Sequence, residues 1–132
     1  MSDSSNPFVL LARITVKQGR LNEYLSIAAD VDHAVETTEE GMLLHHLNLD
    51  PEDPHKLVWT EVYRRSDGFL IHADNPPVLD YVEKHQQLAS DFTLEIYGNV
   101  TQAVIDKIHE LNIPLKHFRS SEIGYFQAER FA

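Results

Sequence analysis

The first strand that the sequence predicts is apolar on both of its faces. Residues 8–16 open with the run Phe8-Val9-Leu10-Leu11 and continue with β-branched residues, a pattern typical of a strand. Because successive side chains of a strand point to opposite faces, Phe8 and Leu10 share one face while Val9 and Leu11 share the other. A face that meets water in an antiparallel sheet carries polar residues instead. The sheet built on this strand must therefore be covered on both sides.

The order of the remaining elements indicates the fold. The periodicities predict, in order, a strand at 8–16, a helix at 21–38, strands at 42–50 and 56–64, a short helix at 66–72, a longer helix after Pro77, and a strand at 91–99. This βαββαβ order is that of a ferredoxin-like α+β sheet.

The sequence continues beyond that unit. A helix over 101–111 is followed by one or two short strands in 115–131, and we expect a strand near Gly124 to Arg130 to pair with a sheet edge. The chain is therefore interpreted as a flexible tail at 1–7, a domain at 8–100, and a C-terminal helix-strand extension at 101–132 that packs on the same domain.

A second copy of the chain is the expected cover for the second sheet face. Two helices suffice for one face of a four-stranded sheet and leave the other face open. Symmetric pairing is the commonest form of oligomer, so we expect a homodimer. The alternative is that the helix over 101–111 covers this face and the chain remains a monomer.

Charge and composition restrict the partners. The 132 residues suit one domain, and their formal net charge of −10 would repel nucleic acid and anionic membranes. No apolar run approaches the length of a membrane helix, and the N-terminus lacks the features of a signal peptide. The absence of cysteine suits a reducing compartment. We therefore expect a cytoplasmic protein that binds a small molecule.

Several motifs arrive in an order that resembles a known family. They are Gly41-Met42-Leu43, the turn Asp50-Pro51-Glu52-Asp53-Pro54, the strand segment Trp59-Thr60-Glu61-Val62-Tyr63, and His72. The stretch from about 8 to 100 is similar to the antibiotic biosynthesis monooxygenase (ABM) family. The resemblance implies a sheet that pairs face to face into a dimeric α+β barrel. It also implies oxygenation of a small phenol or quinol without metal or flavin, so no cofactor is expected.

One branch of that family degrades haem, and the resemblance to it is incomplete. That branch uses an Asn on strand one, a Trp on strand three and a His on the following helix. Trp59 and His72 match two of those positions, but spacing from Gly19 puts Ala12 at the Asn position. This difference argues against haem degradation.

The third strand supplies the candidate site. Trp59, Glu61 and Tyr63 share one face, which we expect to look into the dimer barrel, while the valine face packs on helices. A cofactor-free oxygenase needs a base that deprotonates a phenol, and His72 is the first choice because an imidazole titrates near neutral pH. Glu61 is the second catalytic candidate. Trp59 and Tyr63 are expected to form substrate-binding walls.

Arg13 and His45 complete the set of candidates. Arg13 is expected to meet a substrate oxygen or to pair with Glu61. His45 and His46 point to opposite faces of strand two, so one of them should enter the barrel and the pair cannot chelate one ion. The histidine that enters the barrel could form a metal site with Glu61 and His72, but no ligand spacing in the chain is diagnostic of one, so no metal is expected.

Structural explanations exist for the same residues. Trp59 and Tyr63 could be core residues, Arg13 and Glu61 an interface bridge, and His72 a partner for a helix end. His85 lies on the apolar stripe of its helix and is interpreted as a hydrogen-bonded core histidine. Two other functions therefore remain open. One is a non-catalytic small-molecule-binding domain, and the other is an isomerase that uses His72 and Glu61 as acid and base.

Overall fold

The structure, a computed structural model, describes residues 3–132. The strands are β1 (Phe8–Val16), β2 (Met42–Leu49), β3 (Lys56–Tyr63), β4 (Ala89–Tyr97) and β5 (Leu115–Phe118). The α-helices are α1 (Leu21–Thr38), α2 (Ser66–Asp74), α3 (Pro76–Leu88) and α4 (Gln102–Glu110). Single 3₁₀ turns occupy Asp3–Ser5 and Ala128–Arg130. Residues 1 and 2 of the expected N-terminal tail lie outside the described part of the chain.

The five strands form one mixed sheet in the order β2-β3-β1-β4-β5. The central strand β1 is antiparallel to β3 and to β4, whereas β5 is parallel to β4. This arrangement confirms the ferredoxin-like fold. The expectation of an edge strand near Gly124 to Arg130 is wrong, because the edge strand is β5. A parallel neighbour needs a crossover connection, and α4 provides it directly after β4.

The helices cover one face of the sheet, here called the inner face. Alternate residues of β1 on this face, from Phe8 to Val16, are all buried. On β3 the inner face carries Trp59, Glu61 and Tyr63, each at most 5% exposed. The expectation that these three residues look into a barrel between two sheets is therefore wrong. The helices bury the largest side chains of β3, which leaves its β-branched residues on the opposite face.

The opposite, outer face is uncovered in a single chain. Its side chains include Val9, Leu11, Val58 and Val62, which are partly exposed, and Tyr97, which is 37% exposed. The alternative in which α4 covers this face is also wrong. Instead, α4 packs against α2, and the salt bridge between Lys107 Nζ and Asp74 Oδ1 spans 2.8 Å. No helix within residues 3–132 is long and apolar enough to cross a membrane.

Candidate functional site

A cavity of about 430 Å³ lies between the inner face of the sheet and helices α2 and α3. Its floor includes Ala12 of β1 with Trp59 and Glu61 of β3, and Ala12 is the direct cross-strand partner of Trp59. The small Ala12 side chain leaves room above the strand. Residues 111–114, between α4 and β5, also line the cavity. The cavity therefore belongs to one chain, and the C-terminal extension contributes to its wall.

His72 stands in the wall of this cavity and is bonded to a buried carboxylate. Its Nδ1 lies 3.0 and 3.1 Å from the two carboxylate oxygens of Glu39, the residue that ends α1. Asn75 Nδ2 donates a further hydrogen bond of 2.8 Å to Glu39. Glu39 is 7% exposed. A carboxylate bound to Nδ1 fixes the ring and leaves Nε2 as the nitrogen that can accept a proton.

Two glycines bring α2 close enough for this contact. A Cβ added to Gly68 would lie 3.2 Å from Cδ1 of Tyr63 and 3.4 Å from the carbonyl oxygen of Gly41. Gly41 lies in the turn between α1 and β2, so the first turn of α2 rests on the same loop that carries Glu39. Close approach of backbones of this kind requires residues without a side chain. The two glycines therefore hold His72 against its carboxylate.

The charge around His72 makes its imidazole a stronger base. Burial lowers the pKa of His72, but the hydrogen bond that its ring donates to Glu39 and the negative charges of Glu61 and Glu39 outweigh burial and raise it above its ordinary value. An imidazole held in this way takes up a proton more readily than a free histidine. The site can therefore accept a proton from a weakly acidic ligand.

A second histidine–carboxylate pair lies beside the first. Nδ1 of His45 is 2.9 Å from Oδ1 of Asp32, and its Nε2 is 3.9 Å from Oε2 of Glu61. The His45 ring stacks on Trp59 with centroids 4.2 Å apart, and the rings of His45 and His72 are 5.9 Å apart. Two imidazoles and a carboxylate thus border the same end of the cavity.

Glu61 is held in place by a hydrogen bond from Tyr63. The Tyr63 hydroxyl donates a hydrogen bond of 2.6 Å to Oε1 of Glu61. Burial, together with the charge of Glu61, raises the pKa of Tyr63, so the phenol remains a donor. A buried carboxylate needs such partners because it has lost its water. Tyr63 therefore orients Glu61 from beneath and does not itself line the cavity.

The opposite end of the cavity contains a chain of hydrogen bonds between aromatic side chains. Trp59 Nε1 donates to the Tyr81 hydroxyl over 2.9 Å, and the hydroxyls of Tyr81 and Tyr24 contact each other. The Tyr24 hydroxyl lies 2.7 Å from Nδ1 of His85. Trp59, Tyr81 and His85 all line the cavity. The interpretation of His85 as a buried, hydrogen-bonded histidine is confirmed, but its ring also borders the ligand space.

Arg13, a further predicted site residue, lies on the other side of the sheet from the cavity. It is on the outer face of β1, opposite Val58 of β3, and its side chain is 50% exposed. Its Nε lies 2.9 Å from Oε2 of Glu95 on the neighbouring strand β4. The expected contacts of Arg13 with Glu61 or with a substrate in the cavity are therefore wrong, since the strand alternation places it on the other face.

Four residues around the cavity were not predicted as part of the site. Asp32 and Glu39 sit among other acidic residues of α1, so nothing in their local sequence distinguishes them. Tyr24 and Tyr81 each lie on the apolar stripe of a helix, where a tyrosine is normally interpreted as a core residue. One feature of the sequence could have revealed these two tyrosines. A buried tyrosine hydroxyl requires a hydrogen-bond partner, and a buried histidine can supply one. Within residues 3–132 no three His, Asp or Glu side chains are arranged to hold a metal ion.

Solved structures share the fold. A candidate antibiotic biosynthesis monooxygenase from Bacteroides thetaiotaomicron is 23% identical, with a TM-score of 0.64 over 69% of this chain and 87% of that one. A candidate monooxygenase of the same kind from Caulobacter crescentus is 15% identical, with a TM-score of 0.68 over 74% and 92% of the two chains. A conserved protein from Methanosarcina mazei is 16% identical, with a TM-score of 0.66 over 72% and 94%. None of the curated proteins compared with the chain matches it.

The sequence itself matches a family model. The model for antibiotic biosynthesis monooxygenases covers residues 7–84, which is more than half of the chain and runs from β1 through most of α3. That range holds Glu39, His45, Trp59, Glu61 and His72, while the cavity-lining residues at 111–114 lie beyond it. The chain therefore belongs to the antibiotic biosynthesis monooxygenase family.

Proposed function

We propose that this protein is a cofactor-independent monooxygenase that acts on a small phenol or quinol in the cavity. The observation that carries the proposal is the His72–Glu39 pair at the edge of a largely apolar cavity floored by Trp59. A flat ring can lie against Trp59 while its hydroxyl meets Nε2 of His72. The raised pKa of His72 favours removal of the hydroxyl proton.

The reaction balances with molecular oxygen as the only co-reactant. His72 Nε2 takes the proton of the phenol, and the resulting phenolate reduces oxygen directly. One oxygen atom forms a new bond to a ring carbon, and the carbon–hydrogen bond at that carbon breaks. The other oxygen atom leaves as water with the two hydrogens lost by the substrate, so a phenol becomes a quinone. The imidazolium paired with Glu39 stabilises the anion while it forms.

Oxygen uptake with ¹⁸O₂ tests the proposal directly. With naphthols and anthrones as substrates, we expect one labelled atom in the product and one in water. His72→Ala should lower turnover by ~10²-fold or more, because general-base catalysis supplies rate factors of that order. His109→Ala, an exposed histidine on α4, is the control and should leave turnover unchanged. No uptake by the wild type on any of these substrates, with the rings still bound, would favour the binding-domain alternative.

An isomerase is the second candidate, and one observation favours it. The rings of His45 and His72 are 5.9 Å apart, and each is bonded to its own carboxylate. Two such imidazoles can remove a proton from one position of a ligand and return it at another. This activity predicts exchange of ligand protons with deuterated solvent under nitrogen, without oxygen uptake. The two assays therefore separate the candidates.

We also propose that two chains pair through their outer faces to form a dimeric α+β barrel. The support is the row of partly exposed Val9, Leu11, Val58 and Val62 on a face that the helices leave open. Contiguous apolar surface of this kind marks an interaction site in a soluble domain. Because each cavity lies on the inner face, the dimer would stabilise the sheet without contributing the residues described above.

A further inference from the structure

The wall of the cavity carries acidic residues and, within residues 3–132, neither lysine nor arginine. The acidic residues are Glu61 of β3 and Asp91 of β4. Sites that bind a carboxylate or a phosphate place Arg or Lys against it. An anionic ligand therefore finds no counter-charge on this wall other than a protonated histidine ring.

The groups at the His72 end add up to a net negative charge. Three carboxylates surround this end, those of Asp32, Glu39 and Glu61. Among residues 3–132 no lysine or arginine forms a salt bridge with any of them, so the imidazoles of His45 and His72 are their partners. Even with both rings protonated, three negative charges face two positive ones. At least one negative charge therefore remains uncompensated beside the cavity.

Glu61 is the carboxylate of this group that borders the cavity itself. Its side chain is 6% exposed, and its Oε1 accepts the hydrogen bond from Tyr63. Within residues 3–132 its Oε2 has no hydrogen-bond donor, because Nε2 of His45 is 3.9 Å away and beyond hydrogen-bond range. A carboxylate removed from water is stabilised by donors to both of its oxygens. Oε2 is thus an acceptor that a ligand in the cavity can use.

The rest of the wall suits an organic cation better than an inorganic one. The aromatic side chains of Trp59, Phe69 and Tyr81 line the same cavity. Aromatic rings pack against hydrocarbon and attract ammonium groups through their electron-rich faces. By contrast, no three His, Asp or Glu side chains of residues 3–132 are arranged to hold a metal ion. The charge and the rings together fit an ammonium group on an apolar skeleton.

We infer that the cavity binds a small organic amine whose protonated nitrogen donates a hydrogen bond to Oε2 of Glu61. The ammonium supplies the missing donor and cancels the uncompensated negative charge. For the oxygenase this inference rests on the proposed function, and its substrate is then a phenol that also carries a basic nitrogen. The positive charge offsets that of Glu61 while the phenolate forms at His72.

Three probes with one skeleton and different charges test the inference. At pH 7 naphthylmethylamine is a cation, naphthalenemethanol is neutral and naphthoate is an anion. In NMR titrations of the wild type, the amine should bind about tenfold more tightly than the alcohol, and the anion should bind most weakly. Glu61→Gln keeps the shape of the side chain and an acceptor for Tyr63, and it should make the amine and the alcohol bind about equally.

Glu83→Gln is the matched control, because it removes the same charge from an exposed position on α3. This variant should keep the tenfold preference for the amine. A preference that survives Glu61→Gln would overturn the inference. A wild type that binds the amine no more tightly than the alcohol would overturn it as well.

The wild type alone can locate the bound amine, which guards against a variant that fails to fold. Trp59 is the single tryptophan of the chain, and it shares a face of β3 with Glu61. Nuclear Overhauser contacts should therefore join the aminomethyl protons of the ligand to the Trp59 indole. An amine bound without these contacts would be held by the negative surface of the chain, against the inference. Neither measurement requires turnover, so failure of the oxygenase proposal would appear separately, as absent oxygen uptake.

Discussion

Nδ1 of His72 lies 3.0 Å from Oε1 of Glu39, a carboxylate supplied by the end of α1 and separated from His72 by β2, β3 and most of α2 along the chain. The contact joins the last turn of α2 to a buried acid on another helix. It fixes the orientation of the imidazole through Nδ1 and leaves Nε2 without a hydrogen-bond partner among residues 3–132. The partner of His72 is thus a residue at a helix end, as the structural explanation of His72 expects, and its catalytic role stays a prediction.

Glu39→Gln should lower the pKa of His72. The substitution removes a negative charge and a charge-assisted hydrogen bond that both favour the imidazolium, so the ring should lose its proton at lower pH. Histidine NMR titration measures this without a substrate. Glu40→Gln, at the exposed neighbouring residue, is the matched control and should leave the pKa of His72 unchanged. If turnover is found, its rise with pH should move to lower pH in Glu39→Gln, and the plateau should fall by up to about 10²-fold because the base is less well oriented. An unchanged His72 titration would show that Glu39 does not tune the ring.

The neutral His85 predicts a loss of stability on the acid side. Its pKa is about 4 when folded and near 6.5 when unfolded, so between these values the unfolded chain binds the extra proton. The free energy of unfolding should therefore fall as pH decreases from 6.5 toward 4, by at most about 1.4 kcal/mol per pH unit from this group. Urea denaturation at pH 7, 6 and 5 should show a shallower loss in His85→Leu than in the wild type. Parallel pH dependences in the two proteins would contradict a buried neutral His85.

The fold could be predicted because each element has a period that local sequence displays. Strand β1 and helix α1 were predicted with their bounds, since the run Phe8-Val9-Leu10-Leu11 and the stripe from Leu21 to Val35 are each unambiguous. The prediction of which face of β3 the helices cover was wrong, because Trp59 with Tyr63 and Val58 with Val62 are both apolar pairs. Alternation alone assigns two faces and does not state which one the helices cover. The large rings of Trp59 and Tyr63 could have indicated the covered face of β3, because the largest side chains of this strand pack under the helices.

The site was predicted in part for a related reason. Trp59, Glu61, His45 and His72 gather at the cavity, since strand parity and the family spacing both constrain them. Asp32 and Glu39 were missed because an acidic residue on or just after a helix usually faces water, and the burial of Glu39 beside His72 and Asn75 is a tertiary contact that local sequence does not display. Arg13 was misplaced because its partner, Glu95, lies on a strand that pairs with β1 from the other side.

The C-terminal extension should stabilise the domain through α4 and β5. Val104 and Ile108 are fully buried, and each contributes about 1.5–3 kcal/mol when removed from water. Deletion of residues 101–132 should therefore lower the melting temperature, expose apolar surface and reduce solubility. Deletion of 119–132 alone is the control, since Ile123 and Tyr125 in that segment are 91% and 89% exposed. Equal melting temperatures for the full chain and the longer deletion would show that the extension does not stabilise the domain.

The outer face should control assembly. If two sheets pair through it, light scattering at micromolar concentration should give twice the 15.1 kDa chain mass. Leu11→Asp places a charge in the centre of this face, next to Thr60 of β3 and Glu95 of β4, and should give monomers because a buried unpaired charge opposes association. Leu25→Glu on α1, at a similarly exposed apolar position on the helix side, should leave the mass unchanged. A wild type that is monomeric at that concentration would contradict the barrel. A dimer that persists in Leu11→Asp would instead place the interface on another surface.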